Sequence, residues 1–176
     1  MKFKIIIMLL LAFILLIPEG FSATWIHTKK IKVFIPDSQP RRVKIAKQAF
    51  GEWSDKSGGN IRFYYVPYKK HADIDIEFAE KPIDCNDTHA MACTKYTTSG
   101  NTIVHATIIM AKVSNDKVPR KFTNEEYYTA FLHEIGHALG LGHSDDKTSI
   151  MYKTENKNQK IQPSDIQNLK DLYKFK

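Results

Sequence analysis

Residues 131–152 read FLHEIGHALGLGHSDDKTSIMY, and His133, Glu134, His137 and His143 within them are residue types that bind a metal and move a proton. His133 and His137 are four positions apart, and a helix of about 3.6 residues per turn stacks such side chains on one face. Both imidazoles can then reach one ion. Glu134 is turned about 100° from His133, so it borders the same site without lying on the line of the two ligands. A carboxylate so placed can act as a base on water beside the metal. Gly140 suits the end of this helix, because glycine takes the left-handed conformation favoured at helix C-termini, and the chain can then turn back. That turn would deliver His143 as a third ligand. Three neutral imidazoles leave the fourth position of a tetrahedral zinc open, the arrangement of a catalytic zinc and not of a structural one.

The helix that must carry these groups has its start written upstream, where Thr123 and Glu126 in FTNEEYYTAFLHEIGHALG form a capping box. In residues 41–54, Val43, Ala46, Ala49, Phe50 and Trp53 recur at helical spacing and predict a helix with one apolar stripe. KIKVFIP, IRFYYV, ADIDIEFA and TIVHATIIMA read as strands, the last more continuously apolar and therefore central. In the third of these, Ile74, Ile76 and Phe78 alternate with Asp73, Asp75 and Glu77, which predicts a half-exposed strand in preference to a calcium site. Pro163 suits the first turn of a last helix, whose apolar stripe is Ile166, Leu169, Leu172 and Tyr173. The chain shows no internal repeat.

Taken whole, the pattern HExxHxxGxxH followed by SIMY, with Met151 eight residues beyond His143, resembles the metzincins. Ser144 directly after the third histidine resembles their matrixin branch, the matrix metalloproteinases and their bacterial relatives. VKIAKQAFGEWS is similar to that family's first helix, and ADIDIEF to its third strand. The resemblance implies an α+β fold: a twisted mixed sheet with two helices over an active-site cleft, then a small C-terminal subdomain with a Met-turn and a final helix. It implies a zinc-dependent endopeptidase in which His133, His137 and His143 hold one catalytic zinc and Glu134 is the general base. Met151 would lie in the Met-turn beneath the zinc and Asp165 would support that turn. An extended peptide or protein substrate would lie along an edge strand that includes Ala92 and Cys93. Tyr152 follows the methionine directly and is assigned no catalytic role. The alternative is an inactive or narrow-specificity zinc-containing homologue that grips a protein partner through the same cleft.

The chain departs from the family pattern in several places. No PRCGxPD-like cysteine switch stands between the N-terminal segment and the first strand. The HxD pair of the family's structural zinc is missing, and Asp87, His89 and His105 make an incomplete ligand set, so neither a second Zn²⁺ nor Ca²⁺ is supported. Ser164 replaces the acid that pairs with a mature N-terminus in the family. The loop after Met151 lacks the familiar Pro-x-Tyr, so the shape of the specificity pocket does not carry over.

At 176 residues with 43% apolar and 11% aromatic side chains, the chain suits one globular domain. Residues 1–23 pair Lys2 and Lys4 with an apolar run from Ile5 to Ile17 and small residues at Ser22 and Ala23, the order of a cleaved secretory signal. An uncleaved anchor is the alternative, though the run is short for a bilayer. Residues 24–176 are then expected to be the catalytic domain, secreted, extracellular, monomeric and without stable membrane insertion. Losing Lys2, Lys4 and Glu19 lowers the formal charge of +7 by one, so the domain stays basic. Lysines 153, 157, 160, 170, 174 and 176 gather near the end. A solvated face explains them better than nucleic acid, because no aromatic-interleaved motif accompanies the charge. Cys85 and Cys93 form an even pair across a short loop, which in an exported protein predicts a disulfide; in a cytosolic one they would be free thiols.

Overall fold

Alternation of apolar residues decides how the strands lie. Ile31 and Val33 of β1 (Ile31–Phe34) are buried while Lys32 between them is exposed, so one face of the strand meets the core. The computed structural model of the chain describes residues 23–80, 91–114, 116–154 and 159–175. Residues 1–22 of the predicted 1–23 signal, with Cys85, Asp87 and His89, lie outside the described residues, whereas Ala23, its last residue, is described and buried. After β1 come α1 (Pro40–Lys56), β2 (Phe63–Tyr65), β3 (Ile74–Ala79), β4 (Ala92–Ser99), β5 (Thr102–Ala111), α2 (Asn124–Ala138) and α3 (Pro163–Tyr173). The five strands form one sheet in the order β2-β1-β3-β5-β4. β1, β2, β3 and β5 run parallel, and β4 lies antiparallel along β5 as an edge strand. The fold is α+β.

Both long helices meet the sheet's apolar face. Phe50 of α1 packs edge-on against Phe63 of β2, with ring centres 4.7 Å apart. From α2, Phe131, Leu132 and Ile135 join Trp53, Ile74, Ile76, Ile108 and Met110 in a single buried cluster. Each such large side chain contributes about 1.5–3 kcal/mol on burial. The helix stripe in α1 includes buried Ile45, and Val43 is only half-buried, so the stripe is turned slightly from the predicted one.

One expectation about β3 is corrected. Asp75 is not on a half-solvated face: it is fully buried. Because β3 is the middle strand, its outer face is covered by what reaches over it. Asp75 Oδ1 accepts from His105 Nε2 at 2.7 Å and from Thr107 Oγ1 at 3.2 Å. Lys69, in a single 3₁₀ turn (Lys69–His71), approaches Oδ2 at 2.9 Å as an ion pair outside good hydrogen-bond geometry and also pairs with Glu77. Strict alternation identifies the faces of a strand; it does not say whether the polar face is wet.

Candidate metal centre

The zinc-type motif is carried by α2, and both ends of that helix are fixed. At its start the Thr123 hydroxyl accepts from the Glu126 amide at 3.2 Å while Glu126 accepts from the Thr123 amide at 2.7 Å, the predicted capping box. Arg120 pairs with both carboxylate oxygens of Glu126. At its end, Gly140 N–H donates to the His137 carbonyl and Leu141 N–H to the Gly136 carbonyl, the paired bonds of a Schellman cap. Gly140 has φ 89°, and a Cβ there would lie 2.2 Å from the Ala23 carbonyl oxygen. Two later helix carbonyls are satisfied by distant side chains: Trp25 Nε1 donates to Ala138 O at 2.8 Å and Tyr173 Oη to Leu139 O at 2.8 Å. In mid-helix, Trp53 Nε1 donates to Leu132 O at 2.9 Å. Thus α1, α3 and the N-terminal segment all hold the one helix.

This cap does more than stop the helix, because it turns the Leu141 carbonyl back toward His137. His137 Nδ1 bonds that carbonyl at 2.9 Å, and His133 Nδ1 bonds the Ile150 carbonyl at 2.7 Å. A carbonyl only accepts, so both Nδ1 atoms carry the proton and both Nε2 atoms present lone pairs. Those nitrogens converge: His137 Nε2 lies 3.0 Å from His133 Nε2 and 3.2 Å from His143 Nε2. Burial pushes all three imidazoles below their ordinary pKa, His137 to about 4, so they are neutral near pH 7. Lone pairs this close repel unless a cation sits among them. The donor set therefore fits a metal, and among the described residues these three histidines are the group that can hold one.

Below the centre, residues 144–152 fold back on themselves, with Ser144 N–H donating to Met151 O at 2.7 Å. Asp165 of α3 is fully buried and organises this turn: it accepts from the Ser149 hydroxyl, from Ile150 N at 3.2 Å and from Gln162 N at 2.8 Å. The Ile150 carbonyl that orients His133 is thereby held from α3. Met151 is buried beneath α2, and a Cβ on Gly136 would lie 2.3 Å from its sulfur. Glycine at 136 is what lets the turn approach the helix. Tyr152 pairs with Ser144 in an isolated bridge.

Glu134 is buried on the side of α2 that faces the sheet's edge. Thr94 Oγ1 donates to its Oε2 at 2.6 Å and lies 2.9 Å from its backbone carbonyl. The structure thus brings His133, His137, His143, Glu134, Gly140, Met151 and Asp165 to one place. His105, weighed for a second metal, is committed to Asp75 on the far face of the sheet. Trp25, Thr94 and Gly136 escaped sequence reasoning, and the apolar stripes that include Trp53 and Tyr173 gave no sign of their hydrogen bonds to α2. Of these only Gly136 carried a signal, as a glycine inside a helical motif.

A sequence profile described as Matrixin matches residues 24–174. Macrophage metalloelastase of Rattus norvegicus is 29% identical over 158 residues, 83% of this chain and 32% of that protein. Matrix metalloproteinase-18 of Xenopus laevis is 31% identical over 158 residues, with the same 83% and 32% coverage. Matrilysin of Felis catus is 47% identical over a shorter 45 residues, 23% of this chain and 17% of that one. The chain spans about a third of the length of the first two relatives. Every strand and helix that positions the site falls inside the matched span, and the chain belongs to the matrixin family.

Proposed function

We propose that this protein is a secreted zinc-dependent endopeptidase that cuts extended segments of extracellular proteins. The observation that carries the proposal is the convergence of three histidine Nε2 atoms, two of them on rings, His133 and His137, whose proton positions are dictated by backbone carbonyls. His133, His137 and His143 would hold the zinc. When bound, zinc supplies a Lewis acid that polarises a carbonyl and acidifies water. Glu134 takes the proton of the attacking water as a new C–O bond forms, and returns it to the amine as the C–N bond breaks. Among the described residues, the side of β4 away from β5 has no strand neighbour in the sheet order, so its backbone groups can bind a peptide as an added strand. The order of lysines, apolar run and small residues from the N-terminus through 1–23 supports export, and a Cys85–Cys93 disulfide would suit that compartment.

The test is hydrolysis of a quenched-fluorescent peptide library by the protein from residue 24, with and without a zinc chelator, beside Glu134→Gln. Chelator-sensitive cleavage lost in the variant is expected. Glu134→Gln protein that retains zinc and cuts at the full rate would overturn the assignment of the base; zinc-loaded wild type that cuts nothing would favour a partner-binding homologue.

A further inference from the structure

We propose that Thr94 is a positioning residue for the reaction, fixing the carboxylate of Glu134 from the edge strand; this rests on the reading of Glu134 as the base. Its hydroxyl lies 2.6 Å from Glu134 Oε2 and 2.9 Å from the Glu134 carbonyl oxygen. Both are acceptors, so the single hydroxyl proton points to Glu134 whichever of the two it favours. Engaging Oε2 sets the plane of the carboxylate and hence the direction of Oε1. Glu134 has long rotatable geometry; the threonine does not, because branching at Cβ restricts χ1. Its backbone is held in turn: Cys93 pairs with Ile109 and Thr94 with Ile108 across the β4–β5 ladder. The donor is therefore placed before any substrate arrives.

The location gives this contact a further consequence. Ala92, Thr94 and Tyr96 alternate onto the face of β4 that meets α2, opposite Met110, Ile108 and Ala106 of β5. Lys95 and Thr97 point to the other face, with Thr97 opposite His105. The strand offered above as the docking edge for a peptide is thus the strand that holds the base. A substrate backbone paired to β4 and the carboxylate tied to Thr94 share one reference frame, so the register of the peptide sets the distance from its scissile bond to Glu134. Orientation of this kind acts on the chemical step, where a displacement of about 1 Å can cost a factor of about 100.

The experiment compares zinc-loaded wild type with Thr94→Val, which keeps shape and strand preference but loses the hydroxyl, and with Thr94→Ser, which restores it. Glu134→Gln and Thr97→Val are measured alongside. Thr94→Val is expected to lower kcat about ten- to a hundredfold, with KM, zinc content and Tm close to wild type. Thr94→Ser should recover most of the rate, and Thr97→Val should match wild type. Independently of turnover, side-chain NMR couplings at Glu134 should report one rotamer in wild type and Thr94→Ser, and averaging in Thr94→Val. If Thr94→Val fails to keep its zinc or fold, Thr94→Ala is the second hydroxyl-free protein judged by the same criteria. Full kcat in a hydroxyl-free variant, a loss confined to KM, or a serine variant as slow as the valine would each overturn the positioning role. An active Glu134→Gln would instead bring down the reading on which it rests, so the two failures are distinct.

Discussion

Two groups of side chains in this protein, one built around a single histidine and one around three, have opposite chemistry. On the outer face of the sheet, His105 gives its Nε2 proton to Asp75, and Thr107 and Lys69 complete the carboxylate's surroundings. Under the sheet, His133 and His137 spend their Nδ1 protons on carbonyls and turn bare Nε2 atoms on one another and on His143. One cluster is closed, its buried carboxylate met by a ring N–H, a hydroxyl and an ammonium group. The other is stable only with a partner that the chain does not supply. The contrast shows how a binding centre differs from a structural one: the useful sign is where the second nitrogen of each histidine goes, and the mere grouping of polar residues is not enough.

The comparison is broken most directly by exchanging its predicted outcomes. His137→Ala is expected to abolish zinc retention and peptide cleavage, whereas His105→Ala should keep both, as read by metal analysis and peptide turnover at a temperature well below either melting point. Asp165→Asn touches no ligand, yet it weakens the turn whose Ile150 carbonyl orients His133. Loss of such support costs about 10–100-fold in metal affinity, measurable by competition with a chelator of known strength. Asp75→Asn should do the reverse: a loss of about 1–3 kcal/mol in urea unfolding, with zinc affinity and kcat unchanged.

The smallest effect tests the capping box that starts α2. Arg120 first, and the Thr123 amide after it, hold the Glu126 carboxyl down to about 2 against an ordinary value of 4.5. A folded value below the unfolded one means that the stabilisation is complete above about pH 4.5 and fades as the pH falls towards about 2. Glu126→Ala is therefore expected to cost about 1 kcal/mol at pH 7. The gap from wild type should narrow in acid unfolding curves; a gap independent of pH would show that the charge contributes nothing.

Legibility in the sequence followed the range of the interaction. The capping box, the strand of residues 102–111 and the start of α3 at Pro163 were readable because each depends on residues within a few positions. The exposure of Asp75 was misjudged because its partners His105 and Lys69 come from other elements. Thr94 gave no signal at all: the residue pattern did not mark 92–99 as a strand, an edge strand at Ala92 and Cys93 was implied only by resemblance, and pairing with β5 is what brings the Thr94 hydroxyl to α2.

By itself, the sequence determined the histidine and glutamate spacing, the glycine that ends α2 and the chemical types available at the site, since helical geometry and backbone sterics act locally. Tertiary structure alone decided which nitrogens carry protons, through the Leu141 and Ile150 carbonyls, and which hydroxyl meets the Glu134 carboxylate, that of Thr94. Those outcomes are set by acceptors and donors that meet only when separate elements pack, and hydrogen bonds are too short in reach to be specified before they do.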